Sequence, residues 1–211
     1  VMILDKRADL RHGDVKKLLF SLSVPTITSQ IVNMLYNLVD RVFIGHMQPA
    51  ETVGKLALTG VGVCLPIIMV ISAFASLMAI GGAPRASIAG ESEKSERIMG
   101  NCLTMLVITA LVLTVLFESF AEPLLLMFGA SENTIGYALD YMRIYALGTI
   151  FVQLTLGMNA YITAQGFATV SMKTVLIGAF LNTALDPLFI FVLGLGVRGA
   201  ALATVISQAV S

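Results

Sequence analysis

Charge is scarce in this chain. Asp, Glu, Lys and Arg make up 12% of its 211 residues, against about 25% in a soluble domain. With 57% hydrophobic residues, that shortage excludes an ordinary soluble fold and points to an integral membrane protein. Thirteen basic and thirteen acidic residues cancel, so nothing here attracts a nucleic acid. Cysteine is limited to Cys64 and Cys102. Both fall in apolar runs, where free thiols packed as small hydrophobes are expected rather than a disulfide. The two histidines, His12 and His46, stand apart with no metal-ligand spacing around them. No segment alternates apolar and polar residues with a period of two, which argues against a transmembrane barrel.

What is present is a series of long uncharged runs. They predict membrane spans at about 18–46, 56–84, 98–117, 144–172, 174–197 and 199–211, behind a polar tail at 1–17. The fold class expected is all-α: a polytopic membrane helix bundle over 18–211, with its sixth helix truncated. The first residue is Val1 rather than Met, and Ser211 ends the chain inside an apolar run. A fragment of a longer protein is expected on that ground.

Basic residues suggest the orientation. Lys6, Arg7, Arg11, Lys16, Lys17, Arg85, Lys94, Arg97 and Lys173 fall on one side of the predicted spans. Arg41, Lys55, Arg143 and Arg198 fall on the other. The positive-inside rule then places the N-terminus in the cytoplasm and runs the first and fifth spans outward. Tail residues Asp9 to Lys17 mix apolar and basic side chains. They read either as a short interfacial helix or as a solvated tail.

Asp186 is the sharpest anomaly. It is the one charge in residues 174–197, and a helix of that length puts it near mid-depth. A charge there costs roughly 2.5–3.5 kcal/mol on insertion scales. Such a carboxylate is a candidate ion or proton site by default. Asn182 lies four residues earlier, on the same face. Together they offer an amide oxygen and a carboxylate, hard ligands suited to a small cation. Pro187 follows and frees a backbone carbonyl nearby. The competing reading is a protonated carboxyl that is merely hydrogen-bonded.

The first span carries a polar stripe of Gln30, Asn33, Asn37 and Asp40, spaced three, four and three. Facing lipid it would be expensive, so it is expected to line a cavity or glue helices together. Its final carboxylate favours a functional role for Asp40, with interfacial solvation as the competing reading. Neighbouring Arg41 is a possible partner for a carboxylate on another helix. Pro25 is either a moving hinge or a static bend, and Pro66 is a second candidate kink. Thr204 and Gln208 share a face of the sixth span, with Ser207 beside them; alone this signal is weak. Gly199 to Ala203 reads as a close-packing surface.

Segments in this order and spacing resemble the multidrug and toxic compound extrusion (MATE) family, in particular its MepA-type bacterial branch. They include Asn37-Leu38-Val39-Asp40-Arg41, Ile80-Gly81-Gly82-Ala83, Leu126-Met127-Phe128-Gly129-Ala130, Asp140-Tyr141-Met142-Arg143, Ala164-Gln165-Gly166, Asn182-Thr183-Ala184-Leu185-Asp186-Pro187 and Gly196-Val197-Arg198-Gly199. The chain departs from the family at Phe167, where members often carry an acidic residue.

The resemblance implies the N-terminal six-helix lobe of a twelve-helix transporter, with the C-terminal lobe missing from this chain. It implies a cation site on Asp40, Asn182, Asp186 and Thr204, with Tyr141 as a possible neighbour. No cofactor and no enzyme activity are implied. The expected function is antiport: H⁺ or Na⁺ moves inward and small organic cations or drugs move outward across a bacterial cytoplasmic membrane. A lipid-linked-sugar flippase and an intramembrane aspartyl protease using Asp40 and Asp186 are the alternatives. The first would want several basic residues for the pyrophosphate, and none lies well inside the spans. The second would want Gly-x-Gly-Asp, whereas Thr183-Ala184-Leu185 precedes Asp186.

Overall fold

The computed structural model describes residues 15–90 and 92–211. Among these every regular element is helical. The elements are α1 (Val15–Gly45), α2 (Lys55–Val63), α3 (Leu65–Ala89), α4 (Glu93–Met127), α5 (Ile135–Leu147), α6 (Thr149–Ala164), α7 (Ala168–Pro187) and α8 (Val197–Val210). A π-helical turn, Ala50–Gly54, leads into α2, and another, Leu188–Val192, continues α7. Most of the tail at 1–17, with His12 and most of the segment read as an interfacial helix, lies outside the described residues. Lys16 and Lys17 already belong to α1.

Four helical stretches are long and apolar enough to cross a membrane: Val15–Gly45, Ala50–Ala89, Glu93–Met127 and Ala168–Val192. The pair α5 and α6, bent by 57° at Gly148, makes a fifth if taken as one span, and α8 is a shorter apolar helix. The chain is thus a multi-pass membrane protein.

The helices do not follow the uncharged runs. Residues 144–172 are not one helix: α5 begins at Ile135, the chain bends at Gly148, and α6 stops at Ala164. Gly166 then turns the backbone with φ of 91°, a conformation costly for other residues. Nor does the next helix start at Thr174. It starts at Ala168 and runs through Lys173. The helix of the third predicted span, α4, overruns Phe117 to Met127, carrying Glu118 and Glu122, with non-helical angles at Phe120. Its 35 residues extend about 52 Å, well beyond a hydrocarbon core of about 30 Å. Helix ends therefore reach the polar boundary, where charge is tolerated.

The prolines act differently from one another. Pro66 occupies the first turn of α3, where its missing N–H breaks no bond; the break itself falls at Cys64. Pro25 lies inside an unbroken α1 and is buried. Three hydroxyls near it bond carbonyls one turn earlier: Thr26 Oγ1 donates to the Leu22 carbonyl at 2.7 Å, Thr28 Oγ1 to Val24 at 2.8 Å and Ser29 Oγ to Pro25 at 2.9 Å.

Packing is uneven along the bundle. One end holds the large apolar core, with Ile44, Val61, Ile67, Leu125, Met142 and Ile190 among its buried side chains. The other end holds a small cluster around Ala83, Ala86 and Tyr161. There a Cβ on Gly82 would overlap the Tyr161 hydroxyl and would lie 2.6 Å from Cys102 Sγ. Both cysteines are free thiols. Gly199, Ala200, Ala201 and Ala203 are all buried, and a side chain on Gly199 would meet the Phe189 backbone at 2.7 Å. That run is the close-packing surface expected of small residues between membrane helices. Helix α1 packs chiefly along α7 and touches α8 little.

Candidate cation site

Asp186 sits in the last turn of α7, not midway along its helix. From Ala168 to Val192 the midpoint is Phe180, so the carboxylate lies about 9 Å past it. The early start through Lys173 and the turn at Gly194-Leu195-Gly196 produce this shift. Asp40 is likewise near the end of its helix, α1. Because α1 lies along α7, the two carboxylates come to the same end of the bundle, close enough to interact electrostatically.

Five expected residues converge there. Asp186 is 0% exposed, Asn182 1%, Tyr141 4% and Asp40 6%. Asn182 Nδ2 donates to Asp186 Oδ1 and to Thr204 Oγ1, each at 3.4 Å. Thr204 Oγ1 donates onward to the Ala200 carbonyl at 3.0 Å. The Tyr141 hydroxyl interacts with Thr204 and lies within the field of Asp40. After these bonds, Asp40 Oδ1, Asn182 Oδ1 and Asp186 Oδ2 remain buried without a partner. Unpaired buried acceptors are rare because each costs desolvation free energy. Such a group of oxygens is chemically able to accept a small cation or a proton.

Among the described residues no basic side chain forms an ion pair with the site. Among the described residues Arg41 makes no ion pair, although its charge acts on adjacent Asp40. Arg198 instead pairs with Asp140 at 2.8 Å at the exposed start of α8. The same residues hold no cluster of three His, Cys, Asp or Glu side chains suited to a metal. The carbonyl deprived of its donor by Pro187 belongs to Thr183, which is exposed and off the buried face.

A cleft of about 220 Å³ extends from Asn182 and Thr204 between α1, α6, α7 and α8. Asn33 and Asn37 line it, whereas Gln30 lies outside it and is exposed. Asn37 Nδ2 turns back to the Asn33 carbonyl at 2.6 Å. Pro25 lies well before these residues, outside the cleft lining. Tyr36 and Asn159 also line the cleft and were not expected. Tyr36 stands four residues before Asp40, a helical spacing that places it on the same face. Asn159 lies in an uncharged run, and a search for charge passes over an amide.

The MatE family model matches residues 25–188. The chain is 30% identical over 203 residues to the multidrug export protein MepA of Staphylococcus haemolyticus (strain JCSC1435), covering 95% of this chain and 44% of that protein. It is similar to crystal structures of MATE in the bent and the straight conformation, with TM-scores of 0.85 and 0.86 and identities of 29% and 28%. Those matches cover 94% and 97% of this chain, and 44% and 46% of the solved chains. The chain therefore spans less than half the length of these relatives.

Proposed function

This chain belongs to the MatE family, and from that premise we propose that it forms the N-terminal lobe of a cation-coupled antiporter that exports organic cations or drugs. The observation that carries this reading is the set of three unpartnered buried oxygens on Asp40, Asn182 and Asp186. Oxygen ligands suit Na⁺, and carboxylates also accept protons. Either ion would be cargo that drives the cycle, not a resident cofactor.

In this reading the ion enters from the outer face, where the ends of α1 and α7 lie once the N-terminus is placed in the cytoplasm. Binding neutralises Asp40 and Asp186 and favours a different seat for α1, with Pro25 as the point of flexure. A drug held between this lobe and a second lobe is then released outward. Ion and drug need only disfavour each other's bound state. One elementary charge falling through 100 mV supplies about 2.3 kcal/mol, roughly a fifty-fold gradient. Exchanging one proton for one monovalent drug moves no net charge. Two carboxylates permit two ions per drug, which would use the membrane potential.

The lining of the cleft includes no Lys or Arg, which counts against a pyrophosphate-bearing flippase substrate. The Staphylococcus haemolyticus relative is named for multidrug export, and this supports drug-like cargo here. The test uses the complete transporter containing this chain, reconstituted in vesicles with a fluorescent organic cation. An imposed inward gradient of sodium or of protons should drive the dye out. Dye movement indifferent to both gradients would overturn the proposal.

A further inference from the structure

Helix α1 carries Asp40, yet little polar bonding ties it to the rest of the bundle. From Lys17 to Gly45, its one described side-chain hydrogen bond to another helix comes from Gln208, whose Nε2 donates to the Tyr36 hydroxyl at 3.3 Å. Either orientation of the amide satisfies this contact, because a phenol both donates and accepts.

Three features give the pair a defined place. Tyr36 and Asp40 are one turn apart on α1, and Thr204 and Gln208 are one turn apart on α8. The helices run in opposite senses, so the Tyr36–Gln208 contact lies one turn deeper in the cleft than the Asp40 and Thr204 level. Second, the main chain of Gln208 is fixed to α6, since Thr155 Oγ1 donates to its carbonyl at 2.8 Å. Third, Gln208 Oε1 and the neighbouring Ser207 Oγ are buried without partners, and Ser207 is 3% exposed. The amide therefore reaches from a tethered scaffold to the one helix that bears Asp40, in a region where its other atoms are poorly satisfied.

The geometry points to Gln208 as a positioning residue that, through Tyr36, holds α1 where Asp40 completes the cation site. This rests on the antiport reading above. Gln208 does not touch the ion; it sets how often Asp40 is in place to do so. Losing the link lowers the population of the assembled site and hence the apparent ion affinity, while the site residues stay intact.

The test is a double-mutant cycle of Tyr36→Phe and Gln208→Leu in the complete transporter, reconstituted with a fluorescent organic cation. Sodium and proton concentrations at half-maximal efflux are measured in separate arms. Each single variant should raise the half-maximal concentration of the driving ion about three- to tenfold, the effect of one neutral hydrogen bond, with the maximal rate kept. The double variant should be no worse than either single one. A merely structural role would lower the maximal rate at an unchanged midpoint. That result, unchanged midpoints, or additive effects would overturn the assignment. Tyr36→Phe keeps the ring and supplies the decision alone if Gln208→Leu does not fold. Asp186→Asn separates the two readings. If wild type responds to the ion and Asp186→Asn does not, unchanged midpoints count against Gln208 only. If wild type shows no ion response, the antiport reading falls and this inference falls with it.

Discussion

Replacing Asp186 with Asn should abolish ion-driven efflux while leaving the protein as stable as before, or more so. Asn has nearly the same shape and can still accept a bond from Asn182 Nδ2. What it lacks is the charge and the exchangeable proton. Asp186 is fully buried, and its Oδ2 has no partner. A buried charge without full compensation destabilises the fold that contains it, so neutralising it removes a cost. The transport rate under an imposed ion gradient should fall at least about tenfold, which corresponds to about 1.4 kcal/mol of lost ion stabilisation. Thermal unfolding of the purified variant in detergent should occur at or above the wild-type temperature. Loss of both transport and stability would instead make Asp186 a structural residue, and undiminished transport would remove it from the mechanism.

Gly54→Ala should have the largest effect on folding. A methyl group at Gly54 would land on the Gly45 carbonyl oxygen, and it would come within 3.0 Å of the Gly45 carbonyl carbon and 3.1 Å of the Met47 oxygen. All three are backbone atoms, so no side chain can rotate away. Either the π-helical turn or the end of α1 must shift. Ile44, which is 0% exposed, sits at that end in the main apolar core, and Asp40 lies one turn earlier. Overpacking of this kind typically costs about 1–3 kcal/mol. The variant should therefore melt earlier and bind the driving ion more weakly. Gly62→Ala is the control, since nothing lies within 4 Å of a methyl group there; its unfolding temperature should match wild type. Equal melting of both variants would show that the α1 end is not packed as described.

The legible part of this structure was the part written in charge. A lone carboxylate in an apolar run is visible in sequence because the bilayer makes it expensive, and Asp186 stands out for that reason, with Asn182 one turn earlier on its face and Asp40 at the end of a polar stripe. The structure brings them together with Thr204 and Tyr141, two residues that the family resemblance supplied. Helix limits were much less legible. Charge marks the edge of the hydrocarbon, not the end of a helix, so α7 runs through Lys173 and α4 through Glu118. Conversely, backbone turns at Gly148 and Gly166 interrupt a run that no charge divides. The misjudged start of α7 also displaced Asp186 from the middle of its helix to the last turn. Gln30 illustrates a limit of periodicity. It shares the stripe spacing with Asn33 but is exposed, because a three-residue step drifts around the helix relative to the cleft. Tyr36 was hidden because aromatic residues in membrane helices are common and only its contact with Gln208 distinguishes it.

The most direct measurement is infrared difference spectroscopy on the complete transporter, with and without sodium and across an acid titration. Asparagine variants at positions 40 and 186 assign the carboxyl bands. If these side chains capture and release the driving ion, sodium or acid will shift or diminish those bands in wild type, and each variant will lose its own component. Bands that stay fixed under both treatments would contradict the account.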